Sequence, residues 1–482
     1  MKADYDVAIV GAGISGYMAA YELSQKSNLK ILLIDQGKTI EKRVCPMKSK
    51  KVKCMKCDKC SIMKGFGGAG NFSDGKYNIT TEFGGWLNEY ISDEEVLSLI
   101  DYVDKINMSF GATDETFSTD SIEARAIKKK ALENDLHLLQ AKVKHLGTEN
   151  NLEILKKIYS FLKERVEIVC GNKIKEISIS NDIYILQPDI GGIIKTKYLI
   201  AAPGRSGAEW FSNQCKKLGL ELINNQVDIG VRVELPAEIF SHITDNIYEA
   251  KLKYRTRQHG DFVRTFCMNP YGYVVAENVD GIVTVNGHSY ADKSLRSNNT
   301  NFALLVSNRF TAPFNNPYQY GKRIASLSNL LGDGVLVQRF GDLVNGNRTT
   351  KHRMSQSFTK PTLLAEPGDL SLVLPKRHLD NIIEMIYTLD KLAPGTANVD
   401  TLLYGVEVKF YSAKPKLSSC LETKYKNFFA IGDGAGVTRG LSQAGASGIL
   451  VAREILKREE LTNFRNNAKT NAKVILEALL ID

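Results

Sequence analysis

Apolar positions set two rhythms at the start of the chain. Val7, Ile9 and Val10 form a short run of strand character that breaks at Gly11-x-Gly13-x-x-Gly16. From there Ile14, Met18, Ala19 and Leu23 recur at helical spacing, and a second apolar run, Ile31 to Ile34, ends on Asp35. The pattern predicts strand, tight turn, helix, strand. Residues 92–165 then read as mostly helical, in "EEVLSLIDYVDKIN", "ALENDLHLLQAKVKHL" and "NLEILKKIYSFLKERV". Between about 225 and 375 apolar and polar residues alternate in short runs such as "DIGVRVEL", "GYVVAENV" and "GIVTVNG", the period of half-buried strands. A late strand, "NFFAIGD", passes through a glycine-rich turn into an apolar helix from about Leu441, and the last 20 residues read as a helix at the edge.

These runs predict an α/β fold of discontinuous domains. A Rossmann-like nucleotide-binding domain draws on 1–90, 160–222 and 395–460, with a helical insertion at 91–160. An inserted mixed β-sheet substrate domain spans 223–394, and a terminal helix spans 461–482. No apolar run reaches the roughly 18 residues that a membrane span needs. The first strand begins at once with no leader pattern, so a cytoplasmic location is expected.

The opening motif carries specific chemistry. Gly11 permits the tight turn, Gly13 lets a pyrophosphate approach the backbone, and Gly16 lets helix and strand pack closely. Ile14 and Ser15 open a helix whose N-terminal amides suit phosphate. Asp35, 24 residues after Gly11 and followed by Gln36, is placed to accept hydrogen bonds from a ribose hydroxyl. The expectation is a bound dinucleotide.

Distal motifs refine it. "VEIVCGNKIKEISI", containing Ile174, precedes "KYLIAAPGRSG" with Ala202, Pro203 and Gly204, and a late turn holds Gly432 and Asp433. Together they resemble the separated FAD contacts of the large two-domain flavoproteins of the glutathione-reductase type. That resemblance implies FAD, with Asp433 on the ribitol and pyrophosphate side. It also implies that the segment Gly440, Leu441, Gln443 aims a helix N-terminus at the flavin O2 and N1 edge, where charge develops on reduction. "GFGGAGNFSDGK" (65–76, with Gly67, Gly68, Ala69, Gly70 and Asn71), "NGHSY", "LYGVEVKFYS" and "GDGAGVTRGLSQAGASG" resemble a bacterial and archaeal family of FAD-dependent dehydrogenases. The resemblance covers nearly the whole chain, with gaps in the middle. It implies the FAD fold and leaves the substrate open.

The reaction expected is hydride transfer between flavin and an organic substrate, with reduction of an activated C=C bond, or its reverse, as the class. A flavin monooxygenase or oxidase and a non-catalytic flavin electron carrier are the alternatives. His288 is the candidate proton donor or acceptor, against the bland reading of a structural histidine in a strand. Arg264, Cys267, Asn269 and Tyr273 accompany it on short strands. Arg348 and Lys351 offer cations for a carboxylate or phosphate, or belong to a solvated basic loop.

Charge and cysteines add one further element. The net charge is +9, and residues 42–64 hold nine Lys/Arg against Asp58 alone, a local +8 that leaves the remainder at +1. One basic loop is not a phosphate-tracking face, so nucleic-acid binding is not expected. Within it lie Cys45, followed by proline, and Cys54, Cys57 and Cys60 at C-x2-C-x2-C spacing. These predict a metal site, either a [4Fe–4S] cluster relaying electrons or Zn. A dithiol relay and a basic loop of unliganded thiols stand as alternatives. Only one GxGxxG occurs in strand–helix context, so no separate nicotinamide domain is visible. An acidic, ferredoxin-like electron carrier is the partner implied by the basic loop.

Overall fold

The computed structural model describes residues 2–46, 55, 57–279, 281–308, 310, 313–314, 316–332 and 334–479, and only the backbone of 71, 72, 279, 463 and 465–479. The strand Tyr5–Val10 lies between two parallel neighbours, Ile31–Asp35 and Ile194–Ala201. Glu167–Cys170 extends this sheet in parallel beyond Ile31–Asp35, and Phe428–Ala430 pairs in parallel with the far end of Ile194–Ala201. Ile183–Pro188 and Ile174–Ser180 add an antiparallel wing. Val7, Ala8 and Ile9 are all fully buried, as a strand covered on both faces requires. The helix Ile14–Lys26 packs against the long helix Leu441–Leu479, and these two join the sheet in one large core. This is the α/β Rossmann-like arrangement that the first motif predicts.

The second sheet has eight strands, ordered Glu366–Pro367, Leu336–Arg339, Leu402–Phe410, Val227–Pro236, Asn299–Asn308, Phe262–Asn269, Leu252–Arg255, Leu136–Leu138. All its pairings are antiparallel except that of its first two strands. Along Val227–Pro236 the apolar Ile229, Val231, Val233 and Leu235 enter a core shared with the helices Glu238–Ile247 and Lys376–Leu392. The alternate positions Asp228, Arg232 and Glu234 are equally buried but charged. Period-2 alternation therefore separates an apolar face from a buried polar one, and that polar face fronts the site described below. A hairpin, Tyr273–Val279 with Ile282–His288, is joined to this region by a smaller core.

Two elements differ from the pattern reading. The stretch "ALENDLHLLQAKVKHL" is helical only to Leu132. Its remainder forms Leu136–Leu138, which joins the edge of the second sheet, and Lys142–His145, which pairs with Lys76–Ile79 and Phe117–Ser118. Past the helix end Asp135 takes φ 59°, in the left-handed region, and cross-strand partners outweigh the local helical spacing. The terminal helix is not separate either. It continues the Leu441 helix without a break to Leu479. Among the described residues no helix is long and apolar enough to cross a membrane.

Candidate active site

The first βα turn forms a cradle. At Gly11 (φ 113°) an added Cβ would lie 1.9 Å from the Ala202 carbonyl oxygen, and at Gly16 it would lie 1.9 Å from that of Gly11. These two close approaches draw strand, helix and the Ala202-Pro203 turn together. At Gly13 a Cβ would point into the cleft with only the Gly68 Cα near it, at 3.9 Å. Gly13 is also the N-cap of Ile14–Lys26, so the first amides of that helix have no intrahelical acceptor. The Asp35 carboxylate accepts from the amides of Ala12 (2.9 Å) and Gly37 (2.8 Å) and is thereby fixed at the strand end. These features fit the diphosphate and ribose of a dinucleotide.

The cleft runs on from this cradle. Gly13, Ile14, Ser15, Asp35, Gln36, Gly67, Gly68, Ala69, Gly70, Ala202, Pro203, Gly204, Asp433, Gly440 and Leu441 all line it. Gly11 and Ile174 line an adjoining recess at the Asp35 end, with Trp210 and Asn172. Three expected contacts stand elsewhere. Gly16 is packed under the turn, and Gly432 sits against Ser15, whose Oγ would be 2.5 Å from an added Cβ. Gln443 accepts from the Leu87 amide (3.3 Å) and donates to the Phe83 carbonyl (3.4 Å), so it braces the 83–87 segment. The Asn71 side chain lies outside the described residues, although its backbone belongs to the glycine turn Gly68–Phe72.

The opposite wall is charged and buried. Lys76 donates to the Met268 carbonyl (2.7 Å) and Asn269 Oδ1 (2.9 Å), and faces Asp74 at 3.2 Å and Glu249 at 3.8 Å. Lys251 is 2.6 Å from Glu249. Burial alone would raise the Glu249 carboxyl, but the two lysine cations bring it down to about 2. Burial would likewise raise Glu277, yet Arg205, Lys409, Arg439 and the Asn286 amide hold it below the usual carboxylate range. The groups are therefore ionised in place. Arg232, fully buried, donates to Glu407 (3.0 Å) and with both terminal nitrogens to the Cys267 carbonyl (3.0 Å each). Cys267 (φ 35°) sits where the register of its strand shifts, and Arg232 holds that irregularity against the cleft.

Of the substrate-side candidates, His288, Arg264 and Cys267 line the cleft. The His288 ring is stacked on Tyr273, its cross-strand partner, at 5.9 Å and meets Tyr290 edge-on at 5.0 Å. Tyr273 thus orients the histidine, and Asn269 ties Lys76 to Cys267 and Asn301. Arg348 and Lys351 are exposed and do not line the cleft, and Lys351 faces Glu366 at 3.7 Å. They are the solvated basic loop of the bland reading. Sequence reasoning missed Lys76, Arg205, Glu249, Lys251, Glu277, Lys409 and Arg439. The alternation around Val227 and Val408 signals a buried polar face, but not its partners.

Of the expected metal ligands, Cys60 falls at the Asp35 end. Arg43 is buried and donates to the carbonyls of Ser61, Ile62 and Phe66, with Asp35, Cys60 and Cys170 around it. Cys45 and Cys60 are half-buried and Cys57 is exposed, and Cys54 lies outside the described residues. Among the described residues no group of three or more potential ligand side chains gathers as a metal site would. The residues after Cys60, Ile62 to Lys64, line the cleft.

Residues 226–410 match the family described as FAD-dependent protein, C-terminal domain-like, and residues 9–40 match the NAD(P)-binding Rossmann-like domain. Fold, cleft and these matches agree on a FAD-dependent protein built on a Rossmann-like nucleotide-binding domain. The chain is 24% identical over 473 residues to a protein of Clostridium beijerinckii described as uncharacterized, covering 94% of this chain and 81% of that one. Among solved structures it is similar to glycine oxidase from Geobacillus kaustophilus (11% identity, 94% and 95% of the two chains, TM-score 0.40). It is also similar to L-proline dehydrogenase from P. horikoshii (12% identity, 95% and 94%, TM-score 0.42).

Proposed function

We propose that this protein is a flavin-dependent dehydrogenase or reductase of glutathione-reductase-like architecture, moving hydride between FAD and an organic substrate held against the second sheet. One observation carries the reading: a single cleft continues from the glycine cradle at Gly13 to the buried charged wall at Glu277 and His288. Bound FAD supplies the two-electron donor and acceptor. The chain's residues position and protonate. Amides at the N-terminus of Ile14–Lys26 hold the diphosphate, and Asp35 accepts from the ribose. The N-terminus of Leu441–Leu479 offers partial positive charge to the flavin edge.

On the substrate side, Lys409 and Arg439 beside Glu277 polarise a carbonyl oxygen. His288 moves a proton at its ring nitrogen, its orientation set by Tyr273 and Tyr290. A C=C bond conjugated to a carbonyl is the substrate class that uses both. No step passes through Cys60, which stands with Asp35 around Arg43. For electron exchange we propose an acidic carrier, on the local +8 of residues 42–64.

The test mixes reduced holoprotein with conjugated enones and enoates without oxygen. Recovery of oxidised flavin is expected, and His288→Asn should slow it by about 10²-fold or more at unchanged flavin content. No recovery without oxygen, with reoxidation in air that converts the organic substrate to an oxygenated product, would favour the monooxygenase reading instead.

A further inference from the structure

At one end of the cleft two aromatic rings and two cations stand together. Phe266 and Phe83 both line the cavity, with Leu139 beside them. The Arg264 guanidinium lies 4.7 Å from the Phe266 ring centroid, and the Lys251 ammonium lies 5.4 Å from Phe266 and 5.2 Å from Phe83. Neither cation is saturated by its partner. Lys251 shares Glu249 with Lys76. Arg264 donates through Nη2 to Asp228 Oδ2 (3.1 Å), and that same oxygen accepts from the Tyr411 hydroxyl (2.5 Å). The Arg264 Nε–H is buried and has no hydrogen-bond partner among the described residues. Arg439, also on the cleft wall, lies 5.0 Å from the Tyr411 ring centroid and donates to the Phe410 carbonyl. Asp228 Oδ2 is thus shared between Arg264 and Tyr411, while Arg439 also faces Glu277.

A buried donor without an acceptor costs free energy until an acceptor arrives. Arginine presents a planar fork that matches a carboxylate, and the neighbouring rings and Leu139 offer contact to an apolar body. We infer that the substrate is an amphipathic monocarboxylate. Its anionic group docks on Arg264 beside Lys251, and its apolar or aryl body lies against Phe83 and Phe266. This inference rests on the oxidoreductase reading above and narrows its substrate class. The site lies on the substrate sheet, so carboxylate binding is measurable separately from flavin chemistry.

The experiment is isothermal titration of the purified holoprotein with 3-phenylpropanoate and with its neutral amide, and flavin content is determined on the same sample. The acid should bind at least tenfold more tightly than the amide. Arg264→Gln should weaken the acid at least tenfold without affecting the amide, and Arg264→Lys should restore part of the loss. Equal binding of acid and amide, no binding of the acid, or full affinity in Arg264→Gln would overturn the inference. Should Arg264→Gln not fold, the acid–amide comparison on the unaltered protein decides alone. Acid-selective binding by a protein that holds no flavin and takes none up from excess FAD would support the carboxylate site and overturn the oxidoreductase reading.

Discussion

Gly11 shows how much of the cofactor site rests on single atoms. Its missing Cβ would sit 1.9 Å from the Ala202 oxygen, at a φ of 113° that side chains rarely adopt. Gly11→Ala must displace either the first turn or the 202–204 turn, and both line the cofactor cleft or its recess. The variant is expected to lose flavin on purification and about 2 kcal/mol or more of stability. Visible absorbance against protein and a urea melt check both. The glycines and Asp35 are legible from spacing because one βαβ unit makes the whole contact locally. Lys76 is not legible: its acceptors, Met268 and Asn269, lie 192 and 193 residues away.

Among elements, the helix Lys376–Leu392 carries a pH liability into the second core. His378 is buried, and neither ring nitrogen has a hydrogen-bond partner among the described residues. Burial lowers its imidazole from 6.5 to about 4. The unfolded chain takes up this proton near pH 6.5, whereas the folded chain does so only near pH 4. Stability therefore falls as pH drops through that window, by about 3 kcal/mol for the ring, and is unaffected by it above pH 6.5. His145, pushed by burial to about 4, acts in the same direction. His378→Leu should be more stable than the parent at pH 5 and should show a shallower acid loss between pH 6.5 and 4. Urea melts across that range check it, and an unchanged slope would contradict it. The same scale shows where pattern reading stops. Residues 136–145 carry apolar spacing compatible with a helix, and their strand state is decided by pairing with Leu252–Arg255 and Lys76–Ile79.

In the whole molecule, a Rossmann-like sheet and a largely antiparallel sheet face one cleft, and the chain passes repeatedly between them. The sequence patterns announce both sheets, because period 2 and period 3.6 are local properties. They do not announce that Arg205 meets Glu277 across 72 residues, or that Arg232 pairs with Glu407 across 175. Such buried pairs cost desolvation and hold only when the geometry is complete, so they record the assembled site rather than any segment of it. The central claim is that this assembled cleft holds FAD. The most direct measurement is to denature the purified protein and to identify and quantify the released cofactor by chromatography. The account predicts FAD at close to one equivalent per chain. Protein that releases no flavin and takes none up when incubated with excess FAD would contradict it.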